Sequence, residues 1–169
     1  MIKRVLSVLI LMFSIFTLQL AGETKVEAGA VQIYDGGVGH IIDCIRQGAN
    51  IKNVSVGEPY YATKEGIKCC ILAYGSYNNN KIVFQLNNNG AVSRILITCY
   101  KDETGVYQAA TMMLSILTAI GLNSSEQENF ANNMNKEYTS IWCSASSRYI
   151  TYKRTNGSTY VALFFEAYI

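Results

Sequence analysis

The stretch from Val106 to Leu122 constrains the fold more than any other part of the chain. Most of its residues are apolar, and its polar side chains, Gln108, Thr111, Ser115 and Thr118, recur every three or four residues. At 3.6 residues per turn they form one narrow stripe of a helix, and strands can cover the remaining faces. Its length of roughly 26 Å is marginal for a bilayer core. We therefore predict a buried core helix here.

The amino terminus has the form of a secretory signal peptide. Lys3 and Arg4 precede an apolar run from Val5 to Leu20, which small and charged residues follow. Cleavage can follow Gly22 or Ala30, and the small-x-small pattern before Ala30 favours the second site. We expect a secreted or cell-envelope protein without its first thirty residues. A retained segment would instead tether the chain to the membrane as an envelope component.

Removal of residues 1–30 leaves 31–169, which has the size of one domain. Apolar residues recur at helical spacing over 38–47, where Gly48 is expected to end the helix. Asp102, Glu103 or Thr104 can cap the central helix, and Gly121 with Leu122 suits a Schellman motif at its end. A third helix follows, with Ser124 and Gln127 or Ser125 and Glu128 as its capping box.

Alternating apolar residues predict strands on both sides of the two later helices. Asn89-Gly90 predicts a type I′ hairpin, and Asn156-Gly157 a second hairpin. Strands grouped with strands indicate an α+β fold. We expect an antiparallel sheet of five to six strands with helices packed on one face. The predicted order is one helix, three to four strands, two helices and two to three strands.

The last strand, Thr159 to Ile169, gives the main functional hint. Both of its faces are substantially apolar, so it is either central in the sheet or uses its second face for contact. Tyr160, Phe164 and Tyr168 lie on that second face, and Trp142 lies on a neighbouring predicted strand. Rings with polar tips suit recognition of a protein or a saccharide. We predict a non-catalytic binding module that uses these four residues.

Composition and motifs exclude several other classes of function. The net charge is +2 and no basic run occurs, which argues against a nucleic-acid partner. Nucleotide-binding and hydrolase signatures are missing from the sequence, and no cofactor is predicted. Glu166 is the one acidic residue inside an apolar strand, where we expect a solvated edge carboxylate.

His40 and Cys44 are the weak candidates for catalysis. They lie one turn apart on the first predicted helix, where an imidazole can activate a thiol. The runner-up hypothesis is therefore an exported thiol enzyme or redox protein. The pair lacks the third and fourth ligands of a zinc site, so no metal is predicted. Disulfide formation stays open for the five cysteines, which are Cys44, Cys69, Cys70, Cys99 and Cys143.

Overall fold

The structure, a computed structural model, describes residues 30–134 and 136–168. The predicted signal peptide therefore lies outside the described residues, apart from Ala30. The helices are α1 (Val38–Ile51), α2 (Glu103–Ala119) and α3 (Ser124–Asn133). The strands are β1 (Ala30–Val31), β2 (Tyr34–Gly37), β3 (Tyr60–Lys64), β4 (Ile67–Ala73), β5 (Lys81–Leu86), β6 (Ala91–Tyr100), β7 (Tyr138–Cys143), β8 (Arg148–Asn156) and β9 (Tyr160–Tyr168).

Two antiparallel meanders meet in the middle of one sheet. The strand order is β3-β4-β5-β6-β9-β8-β7, and β2 pairs with the start of β6. The α+β class with an antiparallel sheet is confirmed, and β9 is central, between β6 and β8. Strands β2 to β9 make eight, so the predicted five to six strands are wrong. The predicted order misses β2, because this short, glycine-containing segment has no strand periodicity and pairs with a distant strand.

All three helices share one core with one face of the sheet. Ile95 and Ile97 of β6, Phe165 of β9, Met112 of α2 and Phe130 of α3 all belong to a single buried cluster. Side chains alternate between the two faces of a strand. The intervening residues of each strand therefore point to the side opposite this helix-packed core, which we call the outer face.

Helix α2 is a core helix as predicted, but it buries three of the four residues of its polar stripe, Gln108, Thr111 and Ser115, while Thr118 is exposed. Gln108 is 7 % exposed and Ser115 9 %, whereas Val106, Tyr107 and Leu114 are each about half exposed. The hydroxyl of Ser115 donates to a main-chain carbonyl of its own helix at 3.0 Å. Such a satisfied hydroxyl is buried at little cost. These three residues therefore face the protein, and the exposed side of α2 is largely apolar apart from Thr118.

Helix α1 continues past Gly48, contrary to the predicted stop, and ends at Ile51. A Cβ atom added to Gly48 would lie only 2.2 Å from the Ser115 hydroxyl oxygen of α2. Gly48 therefore allows α1 and α2 to approach closely. The sequence pattern could not separate this role from a helix stop, since both require glycine.

The ends of α2 follow the predicted chemistry. The Asp102 carboxylate accepts the Gly105 N–H at 2.7 Å. At the other end, the Leu122 N–H donates to the Leu117 carbonyl at 3.0 Å, and Gly121 has φ +97°. These are the marks of a Schellman motif. Residues close in sequence thus determine where α2 begins and ends, independently of the elements that pack against it.

The capping box of α3 lies earlier than predicted. Asn123 and Glu126 cap each other's main chain, with Asn123 accepting the Glu126 N–H at 3.0 Å. The predicted serine boxes are wrong, because asparagine caps as well as serine does and stands one residue closer to the end of α2. The helix ends at Asn133, and Tyr138 begins β7.

The tight turns also differ from prediction. At the β5–β6 connection only Gly90 has positive φ, and its N–H donates to the Asn87 carbonyl at 3.0 Å. A type I′ turn needs positive φ at both central residues, so the predicted type is wrong. Glu65 and Gly66 satisfy that requirement, with φ values of 49° and 81°, in the β3–β4 hairpin.

Candidate functional site

An aromatic surface covers the outer face of the last three strands. Trp142 of β7 lies opposite Tyr149 of β8, which lies opposite Tyr168 of β9. Tyr138 and Phe164 point to the same side farther along β7 and β9. Adjacent strands are about 4.8 Å apart, so the first three side chains form a short ladder across the sheet. We call these five residues the aromatic face.

The open end of the aromatic face is accessible to solvent. Trp142 is 45 % exposed and Tyr149 47 %. Their ring centroids are 5.0 Å apart at an interplanar angle of 66°. This edge contact leaves part of each ring uncovered and holds the two rings against each other. The position of the pair is set by the β7–β8 register, since the two residues are direct cross-strand neighbours.

An ion pair lies between the rings of the aromatic face. The Arg94 Nε atom of β6 is 2.7 Å from Oε1 of Glu166, and the Tyr168 hydroxyl donates to Oε2 at 2.8 Å. The Arg94 guanidinium also lies over the Phe164 ring, 5.8 Å from its centroid. Glu166 is therefore a paired carboxylate in the middle of the sheet. The prediction of a solvated edge carboxylate is wrong, because β9 is not an edge strand.

The fourth predicted binding residue, Tyr160, belongs to a different cluster. It lies eight positions from Tyr168 along β9, which corresponds to roughly 26 Å. Its ring contacts Tyr100 edge to face at 5.4 Å, and its hydroxyl accepts from the Asn79 amide at 2.8 Å. The structure thus brings Trp142 and Tyr168 together, places Phe164 on the same face roughly 13 Å farther along β9, and leaves Tyr160 apart.

Tyr138, Tyr149 and Arg94 are the members of the site that sequence reasoning did not single out. The hairpin between β7 and β8 could have indicated Tyr149, since a four-residue turn after Cys143 places it opposite Trp142. Arg94 could not be found this way, because β6 and β9 meet only after two intervening helices. The central pairing of the sheet is what brings Arg94 to Glu166.

His40 and Cys44 lie on the other side of the molecule, on α1. The Cys44 Sγ atom is 3.9 Å from the His40 Nε2 atom, and the His40 ring stacks on Tyr34 at 5.8 Å. The predicted proximity of thiol and imidazole is therefore present. Within residues 30–134 and 136–168, no three histidine, cysteine or acidic side chains are grouped so that they could hold a metal ion.

The five cysteines all lie in the described residues, and none is joined in a disulfide there. Burial raises the pKa of the Cys99 thiol to about 11. Burial also raises the pKa of Cys69 and of Cys70. Cys44 is only half-buried. The thiolate is the nucleophilic form, so thiol chemistry in this protein would use Cys44.

No protein-family model, no curated protein and no solved structure matches this chain. Among the described residues, no helix combines the length and apolar character that crossing a membrane would require. Functional inference therefore depends on the geometry of the aromatic face and of the His40–Cys44 pair.

Proposed function

We propose that this protein is an exported, non-catalytic binding module that engages a saccharide through its aromatic face. The single observation that carries the proposal is the in-register ladder of Trp142, Tyr149 and Tyr168 at the open edge of the sheet. Sugar rings have apolar C–H faces that pack on exposed aromatic rings. Tryptophan and tyrosine also keep a polar tip for hydrogen bonding.

The groups between the rings suit hydroxyl-rich ligands. Thr151 and Ser140 lie in register with Glu166, one row along from the ladder. Arg94 neutralises Glu166, and the buried Thr151 hydroxyl donates to the Glu166 carbonyl at 3.2 Å. The exposed Ser140 hydroxyl is therefore the group of this row that a ligand can reach, and the row carries no strong net charge. A protein partner would favour a larger continuous apolar centre from which water is fully excluded. This alternation of rings with paired polar groups favours the saccharide.

Trp142 provides the assay, because it is the only tryptophan in the chain. We expect its fluorescence emission to shift when a bound saccharide covers it, during titration with neutral and uronate-containing oligosaccharides. Tyr149→Ala should abolish the shift, because it removes the ring that contacts Trp142. Tyr107→Ala is the matched control, since Tyr107 is 52 % exposed but lies on α2. Equal responses of both variants, or no response of the wild type to any oligosaccharide, would contradict the proposal.

Thiol chemistry at Cys44 is the second candidate, favoured by the 3.9 Å contact with His40. An activated thiol would be alkylated through a titration well below the ordinary cysteine pKa of about 8.5. His40→Asn should return that titration to the ordinary value. If the wild-type thiol already titrates near 8.5, Cys44 is not activated and this candidate is wrong.

A further inference from the structure

Strand β7 forms one edge of the sheet, and half of its main chain points outward. The Arg154 N–H donates to the Glu137 carbonyl at 2.8 Å, so these two residues form a hydrogen-bonded pair. Hydrogen-bonded and non-hydrogen-bonded pairs alternate along an antiparallel ladder. The residues whose N–H and C=O groups point away from β8 are therefore Tyr138, Ser140 and Trp142.

These outward groups meet no other strand in the part of the chain that the structure describes. The two edges of the sheet differ in how they are protected. At the opposite edge, Pro59 precedes β3 and Lys64 ends it. Proline and lysine are devices that discourage strand addition. The β7 sequence, Tyr138–Cys143, contains neither proline nor any charged residue, so β7 is the edge open to pairing.

We propose that β7 pairs antiparallel with β7 of a second copy of this chain, about a two-fold axis at Ser140. In this register Ser140 faces Ser140 of the second copy, and Tyr138 faces Trp142 of the second copy. All three outward-pointing residues of each copy then form hydrogen-bonded pairs, about six bonds in total. A register displaced by two residues would pair only two of them, so the axis at Ser140 is favoured.

Charge complementarity supports a second copy as the occupant of this edge. The same register places Lys136 opposite Ser144 of the second copy. The Ser144 N–H donates to the Glu126 carboxylate at 2.8 Å, so Glu126 lies next to Ser144. The positive charge of Lys136 from the other copy would therefore come close to the negative charge of Glu126. Two such opposite-charge contacts, related by the two-fold axis, flank the paired strands. A two-fold dimer is closed, so its formation pairs the outward main-chain groups of both β7 strands and creates no further unpaired strand edge at the interface.

The dimer would join the two aromatic faces into one surface. Tyr138 and Trp142 lie on the outer face of β7, so each copy adds its ladder to the same side of the continuous sheet. This inference does not depend on the proposed saccharide. A repeating polymer would nevertheless contact both ladders and gain apparent affinity through the linkage of the two sites.

The test is analytical ultracentrifugation of the purified chain through serial dilution. The wild type is expected to dissociate reversibly from dimer to monomer. Ser140→Pro removes an N–H that β8 does not use, and it should raise the dimer dissociation constant by about tenfold or more. The matched control is Thr63→Pro in β3. The two-residue Glu65-Gly66 turn makes Lys64 and Ile67 a hydrogen-bonded pair, so the neighbouring Thr63 N–H points away from β4. The Thr63→Pro variant should dimerise as the wild type does.

A monomeric wild type at every concentration would overturn the proposal, and so would a Ser140→Pro variant that dimerises normally. Hydrogen exchange of the wild type covers the case in which the proline variant fails to fold. Dilution should then accelerate exchange of the Ser140 and Trp142 amides while the Ile141 amide, bonded to β8, stays protected. Exchange of Ser140 that is independent of concentration would also overturn it.

Discussion

Substitution of Gly48 tests the close packing of α1 against the buried polar stripe of α2. In Gly48→Ala the new Cβ would lie 2.2 Å from the Ser115 Oγ atom and 3.4 Å from its Cβ atom. Oγ must therefore move and lose its 3.0 Å bond to the Thr111 carbonyl. Overpacking of this kind costs about 1–3 kcal/mol. The higher helix propensity of alanine offsets up to about 1 kcal/mol of this cost. We therefore expect the free energy of unfolding to fall by about 1 kcal/mol.

Ser115→Ala removes the obstructing oxygen and makes the test specific. Alone it should change stability little, because a lost hydrogen bond of about 1 kcal/mol is partly offset by better helix propensity. In the double variant with Gly48→Ala the remaining contact is the ordinary 3.4 Å distance to Cβ. The double variant should therefore be at least as stable as the wild type. The coupling free energy between the two sites is then about 1–2 kcal/mol.

Urea unfolding of the wild type, both single variants and the double variant measures this coupling. The two substitutions should be strongly non-additive, with Ser115→Ala rescuing Gly48→Ala. Additive effects, with a coupling below about 0.5 kcal/mol, would refute the reasoning. In that case Ser115 would not face Gly48, and the buried polar stripe of α2 would be placed incorrectly.

Three further predictions follow from burial and charge. Phe130→Ala should cost about 3–5 kcal/mol in urea unfolding, because the ring is 1 % exposed. Leu114→Glu should change stability by less than about 0.5 kcal/mol, whereas Met112→Ala on the buried side of α2 should cost about 2–5 kcal/mol. The Tyr77 hydroxyl and a main-chain N–H hold the pKa of Asp102 below its usual value of 3.8. Its stabilisation is present above that value and lost as the pH falls through the lowered pKa, so Asp102→Asn should flatten the stability profile of acid unfolding there.

Local chemistry allowed the sequence to predict several elements correctly. The Asp102 cap and the Gly121 stop of α2 depend only on neighbouring residues, so a short stretch of sequence was sufficient to predict them. The apolar character of both faces of β9 indicated either a central strand or a contact surface, and the structure shows that β9 is central, between β6 and β8.

Long-range pairing explains most of the failures. The partner of β2 lies more than fifty residues away, and the orientation of α2 depends on Gly48 of another helix. For the site, Trp142 and Tyr168 were predicted as members, but their shared location follows from a β7–β8–β9 register that the pattern does not encode. Tyr160 shares a strand face with Tyr168, yet the length of β9 places it in another cluster.

The most direct test of the binding proposal is a map of amide chemical shifts during titration with the oligosaccharide that most changes Trp142 emission. The account predicts that the shifts cluster on the outer face of β7, β8 and β9, at Trp142, Tyr149 and Tyr168. Shifts centred on His40 and Cys44, or spread over the exposed side of α2, would contradict it.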